Sequence, residues 1–424
     1  MRTVEWFRTI GDRVGILGLL VLAAFTRLWN LSSPSKLVFD ETYYVKDSFT
    51  LWRAGHELQW AKGNEDTFTS NGVIDTPEFV VHSPLGKWII GLGMQIFGST
   101  NPFGWRIMVA LFGIVAVWFI YLVAMQLFGS KRWALLPAFL LAIDGQAIVI
   151  SRTAILDGLV MTTVLFGFYL LVRALNSDKS ANWIVGMTLV LGAGTAIKWA
   201  SAFFLAVFLA YYLWQTKRFK QLLLAPLALV PYLLSWTGWF VSHGWGYNPK
   251  DVLGSFIAYH QQMYHFHSTL SMQHPYQTSA NTWLAMLRPT SFFFENHDGT
   301  VIAINPIGNP VIWLGGMMAL GFLFAWFVRN RDRVSVLVFT GYLAGYLPWL
   351  IYFNRTSFQF YSVTFEPWIL LVISLMAYRY RAHRLVVIAS SIAFGIFLFF
   401  LPLYLGLPIP LWYWQLHMWL PTWI

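Results

Sequence analysis

The chain contains no cysteine in its 424 residues, which excludes a disulfide framework, a cysteine-based zinc site and a thiol nucleophile. Charge is scarce as well. Asp, Glu, Lys and Arg make up 11% of the chain against roughly 25% in soluble domains, so most side chains must face something other than water. There is no P-loop or GxGxxG loop to cradle a nucleotide, and no HExxH pair for zinc. What is present is apolar: 57% of residues are hydrophobic, the composition of an all-α polytopic membrane protein.

A helix of about 20 apolar residues crosses a bilayer. By that criterion spans are expected near residues 14–29, 105–128, 133–150, 153–172, 182–199, 200–215, 221–241, 307–328, 334–353, 362–378 and 385–407, about 11 transmembrane helices in a single domain, 1–424. The segment "PLGKWIIGLGMQIFG", 84–98, is apolar but short. Lys and Arg in short loops stay on the cytoplasmic side. The basic clusters are Arg2, Arg8 and Arg13, then "SKRW" at 130–133, "RALNSDK" at 173–179, "TKRFK" at 216–220, "RNRDR" at 329–333 and "RYRAHR" at 379–384. If all of them lie inside, the short segment does not cross fully, the N-terminus is cytoplasmic and the C-terminus external. The net charge of +10 is then a topology signal and not a nucleic-acid footprint. Residues 1–29 start basic and continue apolar like a signal peptide. No small-residue cleavage site follows "FTRLWN", so a retained first helix is expected.

Two external segments, 30–85 and 242–306, mix acids, histidines and aromatics and are expected to carry interfacial helices, while the Trp- and Pro-rich 408–424 suits an interfacial belt. The polar residues that fall near the membrane crowd the external face under this topology: Asp40, Glu41, His82, Lys87, Arg106, Arg152, Asp157, Lys198, the His-rich 260–274 run, Arg288 and Arg355. Polar groups sunk into apolar surroundings are costly, so their concentration on one face points to a site there.

The stretch "KLVFDETYYVKD", 36–47, holds Asp40 and Glu41 side by side. On a helix they point about 100° apart and cannot face each other as a carboxylate pair. Asp40 serves either as an N-cap, with Glu41 in the first turn, or as a general base with Glu41 holding the geometry. The helix it opens is expected to stop at Gly55. In "VHSPLGK", 81–87, Lys87 either snorkels to the interface or meets a lipid phosphate. "NPFGWR", 101–106, puts Arg106 at a helix start, an unfavourable end for a cation that hints at an anionic partner. "SRTAILDG", 151–158, places Arg152 and Asp157 within two turns, where a structural ion pair is the plainer reading. "GAGTAIKWAS", 192–201, presents Lys198 after small residues that permit close packing, and "FNRTSFQFY", 353–361, contributes Arg355. Histidines 260, 265, 267 and 274 lack the spacing of a helical zinc pair.

Taken in order, "FDETYY", "HSPLGK", "GWR", "SRTAILD", "GAGTAIKWAS", "HPYQTSANTW" at 274–283, "RPTSFFFE" at 288–295 and "NRTSFQFY" resemble the protein O-mannosyltransferases, the actinobacterial type most of all. The likeness covers nearly the whole chain. His-Ser-Pro stands where the family often has His-Pro-Pro, and the large sugar-lectin-like domain of eukaryotic members is missing. The resemblance implies a glycosyltransferase C fold, GT-C, in a bacterial plasma membrane with the active site on the extracytoplasmic side. It implies mannose transfer from polyprenyl-phosphate-mannose to Ser and Thr hydroxyls of secreted or membrane proteins, with membrane lipids and a secretion translocon as further partners and no nucleic acid. Asp40 becomes the catalytic base beside Glu41. Lys87, Arg152, Arg106, Lys198 and Arg355 become candidates for the donor phosphate, Lys87 and Arg152 first among them. His82, Asp157, His274, Tyr276 and Arg288 become substrate-binding candidates. No metal or other cofactor is required, because a lipid phosphate departs as a stable anion. Alternatives are a GT-C transferase acting on a lipid or polysaccharide, and a lipid or solute transporter. Transport would need polar groups near mid-membrane, for which Asp144 is the main candidate.

Overall fold

The computed structural model describes residues 2–61, 68 and 70–424. Residues 62–67 and 69 of the first external segment lie outside the described residues, as do the side chains of Arg2, Arg8 and Arg13. The chain is helical with two small sheets. Helix α1 (Arg2–Leu28) leads through turns and bends to α2 (Glu41–Ala54). A hairpin of β1 (Leu58–Trp60) and β2 (Val73–Pro77) follows, then α3 (Leu85–Phe97) and α4 (Pro102–Phe128). The central helices are α5 (Lys131–Ile143), α6 (Gly145–Arg152), α7 (Leu156–Leu175), α8 (Ser180–Ile197) and α9 (Ala200–Thr216). After a 3₁₀ stretch, Phe219–Ala228, come α10 (Leu229–Ser235), α11 (Thr237–Ser242) and α12 (Val252–Thr269). Strands β3 (Phe293–His297) and β4 (Thr300–Ile304) pair antiparallel, and β4 also pairs with β5 (Pro408–Pro410). The remaining helices are α13 (Pro310–Asn330), α14 (Arg333–Ile351), α15 (Glu366–Arg379), α16 (His383–Leu405) and α17 (Leu411–His417).

The expected eleven full spans resolve differently. Among the described residues six helices are long and apolar enough to cross, α4, α7, α8, α13, α14 and α16, and α5 with α6 pass together as a pair bent by 59°, a broken span or a re-entrant loop. Four more apolar helices are shorter, Gly15–Leu28, α3, α9 and Phe219–Ser235. Each departure has a local cause. The expected span at 133–150 breaks at Asp144, whose carboxylate accepts from the N–H groups of Gln146 at 2.9 Å and Ala147 at 3.4 Å and so starts a new helix. Pro226 and Pro231 each remove a helical N–H, and 219–228 runs as a 3₁₀ stretch before α10. Helix α3 has 13 residues, a length of about 20 Å against a core of about 30 Å.

Helix α7 packs between α4 and α8 at the centre, with α15 behind α5. The small residues of "GAGTAIKWAS" do pack closely: a Cβ on Gly192 would stand 2.4 Å from the Ala228 carbonyl oxygen. Helix α2 starts after Asp40 and stops at Gly55, whose φ of +81° suits glycine and whose N–H closes on Leu51 O at 2.8 Å. Together α2, α3, α12 and the loop before α15 gather the polar residues.

Candidate functional site

The two adjacent carboxylates do different things. Glu41 is fully buried and accepts four hydrogen bonds: Arg106 Nε at 2.8 Å, Arg106 Nη2 at 2.8 Å, Val38 N at 3.0 Å and Ala154 N at 2.8 Å. Arg106 in turn donates to the carbonyls of Leu31 at 3.1 Å, Pro34 at 2.9 Å and Lys36 at 3.0 Å. All five guanidinium N–H donors are therefore engaged. The anionic partner that the helix-start position of Arg106 called for is Glu41, and no donor remains for a phosphate.

Asp40 occupies the N-cap position of α2, yet its side chain makes no cap hydrogen bond. Among the described residues its carboxylate has no hydrogen-bond partner, so it is not held there as a structural cap. Burial pushes its pKa up to about 7, the nearby Lys198 charge pulls it down and Asp157 pushes it up. A carboxylate with a pKa near operating pH is suited to take and return a proton.

The cations sort by what they touch. Lys87, expected to meet phosphate, is buried and paired with Glu57, with Asp47 Oδ2 at 3.9 Å, and donates to His82 O at 3.1 Å. Burial, opposed by Lys87, raises Asp47 to about 8. Arg152 donates to the carbonyls at the end of α1, Thr26 at 3.0 Å and Trp29 at 2.8 Å, and to Asn30 at 3.4 Å. It therefore ties down a helix C-terminus, and the expected Arg152–Asp157 pair does not form. Asp157 instead takes two hydrogen bonds from Lys198 Nζ, at 2.9 and 3.0 Å. That leaves Lys198 one further N–H. Arg355 faces His267 Nδ1 through Nη2 at 3.5 Å and leaves Nε without a partner.

Lys198 and Arg355 line one cavity of about 470 Å³. Its polar end also carries His82, His267 and Tyr361, while Phe203, Leu229 and Pro348 make the rest apolar. His82 stacks on His267 with ring centroids 4.9 Å apart. His267 Nε2 donates to Val81 O at 2.6 Å, which leaves Nδ1 as the acceptor facing Arg355. Burial lowers His267 to about 4 and holds His82 well below the ordinary histidine value, so both rings are neutral near pH 7. The ammonium of Lys198 also lies 4.5 Å from the centre of the Tyr361 ring.

His274, Tyr276 and Arg288 do not line this cavity. Arg288 donates to Pro275 O at 2.7 Å and Thr422 O at 3.2 Å, and its guanidinium lies 5.3 Å from the Tyr276 ring centre. His274 Nδ1 accepts from Tyr276 N at 3.1 Å, and its ring meets Phe358 edge-on at 4.9 Å. Arg288 ties the 242–306 segment to the C-terminal one, and His274 packs that segment against the 353–361 loop. Among the described residues no three His, Asp or Glu side chains gather as a metal site. Asp144, the acid singled out for transport, also accepts Asn309 N at 2.9 Å and Trp313 Nε1 at 3.1 Å and is a fully engaged structural group. Sequence reasoning missed Tyr361 and the role of His267, because nothing short-range joins "FQFY" to "KWAS".

Comparison with known proteins places the chain in a family. Residues 81–239 match the family described as dolichyl-phosphate-mannose-protein mannosyltransferase, and residues 252–423 match the C-terminal four-transmembrane region of protein-O-mannosyltransferase. A polyprenol-phosphate-mannose–protein mannosyltransferase of Mycolicibacterium smegmatis is 28% identical, over 95% of this chain and 91% of that protein. One from Corynebacterium glutamicum is 27% identical, over 95% and 92%. The solved Saccharomyces cerevisiae Pmt1–Pmt2 complex bound to the sugar donor superimposes with a TM-score of 0.79 at 13% identity, covering 98% of this chain and 93% of that one. ArnT of Cupriavidus metallidurans bound to undecaprenyl phosphate gives 0.60 at 16% identity, covering 93% and 77%. The fold is that of the GT-C glycosyltransferases, and with two matches that together take in most of its length, the chain belongs to the protein O-mannosyltransferase family.

Proposed function

We propose that this protein transfers mannose from polyprenyl-phosphate-mannose to Ser and Thr hydroxyls of proteins, with Asp40 as the base and Lys198 and Arg355 as the cations facing the donor phosphate. The observation that carries this reading is the contrast between Asp40 and Glu41: one carboxylate without a hydrogen-bond partner within reach of the Lys198 charge, its neighbour locked in four hydrogen bonds. An alcohol is a poor nucleophile until a carboxylate takes its proton. As the acceptor oxygen forms its bond to the anomeric carbon, the proton passes to Asp40 and the bond from that carbon to the phosphate oxygen breaks, with inversion. The electron pair leaves on the polyprenyl phosphate. Charge building on that phosphate is stabilised by fixed cations, which Lys198 and Arg355 supply without a metal. The apolar part of the cavity suits the start of an isoprenoid chain. The extracytoplasmic side is the side opposite the basic loops, and the two external segments supply the acceptor surface.

The test is to reconstitute the purified protein with radiolabelled polyprenyl-phosphate-mannose and a Thr/Pro-rich peptide. Base-labile label on peptide Ser or Thr supports the proposal. Label only on lipid selects the lipid or polysaccharide acceptor instead. No transfer to any acceptor, with labelled substrate taken up by proteoliposomes, would return the transporter reading.

A further inference from the structure

A second cavity lies far from the chemistry in sequence and in character. It has about 560 Å³ between α13, α15, α16 and α5 and is almost wholly apolar, lined among others by Leu140, Met318, Phe322, Leu385 and Ala389. That volume falls in the roughly 300–1,000 Å³ range of binding pockets. Met318 is 60% exposed, Phe322 57% and Leu385 66%, so the groove opens sideways and is not closed by the protein itself.

One end of this groove is strongly basic. Tyr380 and Ala382 are part of the lining and flank Arg381. The loop they belong to is fastened to the 329–333 loop: Arg379 pairs with Asp332 and donates to Ser335 Oγ at 2.6 Å, and the Tyr380 ring meets Trp326 at 5.6 Å and Phe322 at 6.3 Å. Asp332, the one acid in the two loops, is thereby occupied by Arg379 and the Ser335 N–H and hydroxyl. Arg381 and Arg384 adjoin the lining residues Tyr380, Ala382 and Leu385, Arg329, Arg331 and Arg333 sit on the loop fastened to theirs, and among the described residues none of the five makes a side-chain hydrogen bond or ion pair. Arginine holds phosphate oxygens in bidentate pairs. Basic pockets between transmembrane helices with an apolar groove behind them recognise anionic lipid head groups.

We propose that this groove is a binding site for an anionic phospholipid of the surrounding leaflet, its phosphate on the arginines of the two joined loops and an acyl chain between α13 and α16. Basic loops alone follow from membrane topology and demand no groove. The combination of an apolar cleft with arginines at one end that make no ion pair, on two loops locked together by Arg379–Asp332, is what selects a lipid with a negative head group.

The test is native mass spectrometry of the full-length protein in detergent, titrated with phosphatidylglycerol or phosphatidylcholine. Wild type is expected to retain one phosphatidylglycerol in preference to phosphatidylcholine. Because each arginine near the surface contributes roughly a fivefold factor, Arg381→Gln with Arg384→Gln should weaken retention about tenfold or more. Ala389→Phe, which fills the groove and leaves every charge in place, should also lose it. Both variants should elute as wild type does and keep mannosyl transfer, since neither change touches the Asp40 site. Equal retention of the two lipids, or an Ala389→Phe variant that binds phosphatidylglycerol like wild type, would overturn the proposal. So would a dimer in lipid nanodiscs that Ala389→Phe dissociates, since a second copy would then be the occupant.

Discussion

Replacing Glu41 by Gln probes the clamp that holds the segment carrying Asp40, the proposed base, in place. Glu41 Oε1 accepts from Arg106 Nε and Ala154 N, and Oε2 from Arg106 Nη2 and Val38 N. Gln keeps one acceptor oxygen, but its NH₂ group would face two donors and the buried guanidinium would lose its counter-charge. Breaking a buried pair by removing one partner costs about 3–5 kcal/mol, a large share of the roughly 5–15 kcal/mol that holds a typical fold together. Three segments would loosen together: residues 31–38, the start of α4, and the turn at Ala154. Asp40 is the next residue in the chain, so its position would blur as well. The assay is thermal unfolding in detergent followed by intrinsic fluorescence, with transfer activity measured below the transition. The expected result is a Tm lower by several degrees and a fall in kcat. The pair Glu41→Gln with Arg106→Met, which removes the stranded charge, should recover part of the Tm without recovering the rate. A Glu41→Gln protein with wild-type Tm and rate would refute the clamp.

Other consequences follow from the same geometry. Arg355→Ala, which removes the cation with free donors in the cavity, should lower kcat/KM by about 10²-fold or more, of the order lost with one transition-state donor, with Tm little changed; steady-state kinetics with varied donor check this. Lys87→Met should act through stability instead, leaving Asp47 and Glu57 buried without their cation, so a lowered Tm is expected before any loss of donor affinity. Asp144→Ala should destabilise the α5–α6 break and the Asn309 and Trp313 contacts by about 1–3 kcal/mol; because it lies outside the site, activity per folded molecule should remain. Asp40 also predicts a sign for pH and stability. Its folded pKa of about 7 lies above its ordinary value of 3.8, so the native state binds its proton more tightly than the unfolded chain does. Its contribution to stability is greatest below pH 4 and declines up to about pH 7, a trend that unfolding midpoints of Asp40→Asn should lack.

Local features were legible in the sequence. The start of α2 after Asp40 and its stop at Gly55 each depend on neighbours a few residues away. The cations were not legible in the same way. Arg106 and Glu41 are 65 residues apart and Lys198 and Asp157 are 41 apart, and nothing in "SRTAILDG" says that Arg152 turns to the end of α1 while Asp157 turns to α8. Lys87 looked free because its partner Glu57 sits in "AGHEL", where no pattern marks a buried acid. The expected span at 133–150 is present as a bent pair and not as one straight helix for the same reason: Asp144 reads as a lone acid in a membrane helix, but its hydrogen bonds to Gln146, Asn309 and Trp313 make it the cap of a break. Order along the chain fixes which residues are polar at the membrane edge, and long-range pairing decides which of them remain available.

The central claim is that the unpartnered carboxylate of Asp40 takes the acceptor proton. The most direct measurement is the pH profile of kcat/KM for peptide mannosylation by wild type and Asp40→Asn. Since the Asp40 side chain caps nothing, the variant should fold as wild type does. Wild type should lose activity on the acid side with a pKa near 7, and Asp40→Asn should lie about 10²–10⁴-fold lower with that limb gone. A folded Asp40→Asn enzyme with near wild-type turnover and an unchanged acid limb would contradict it.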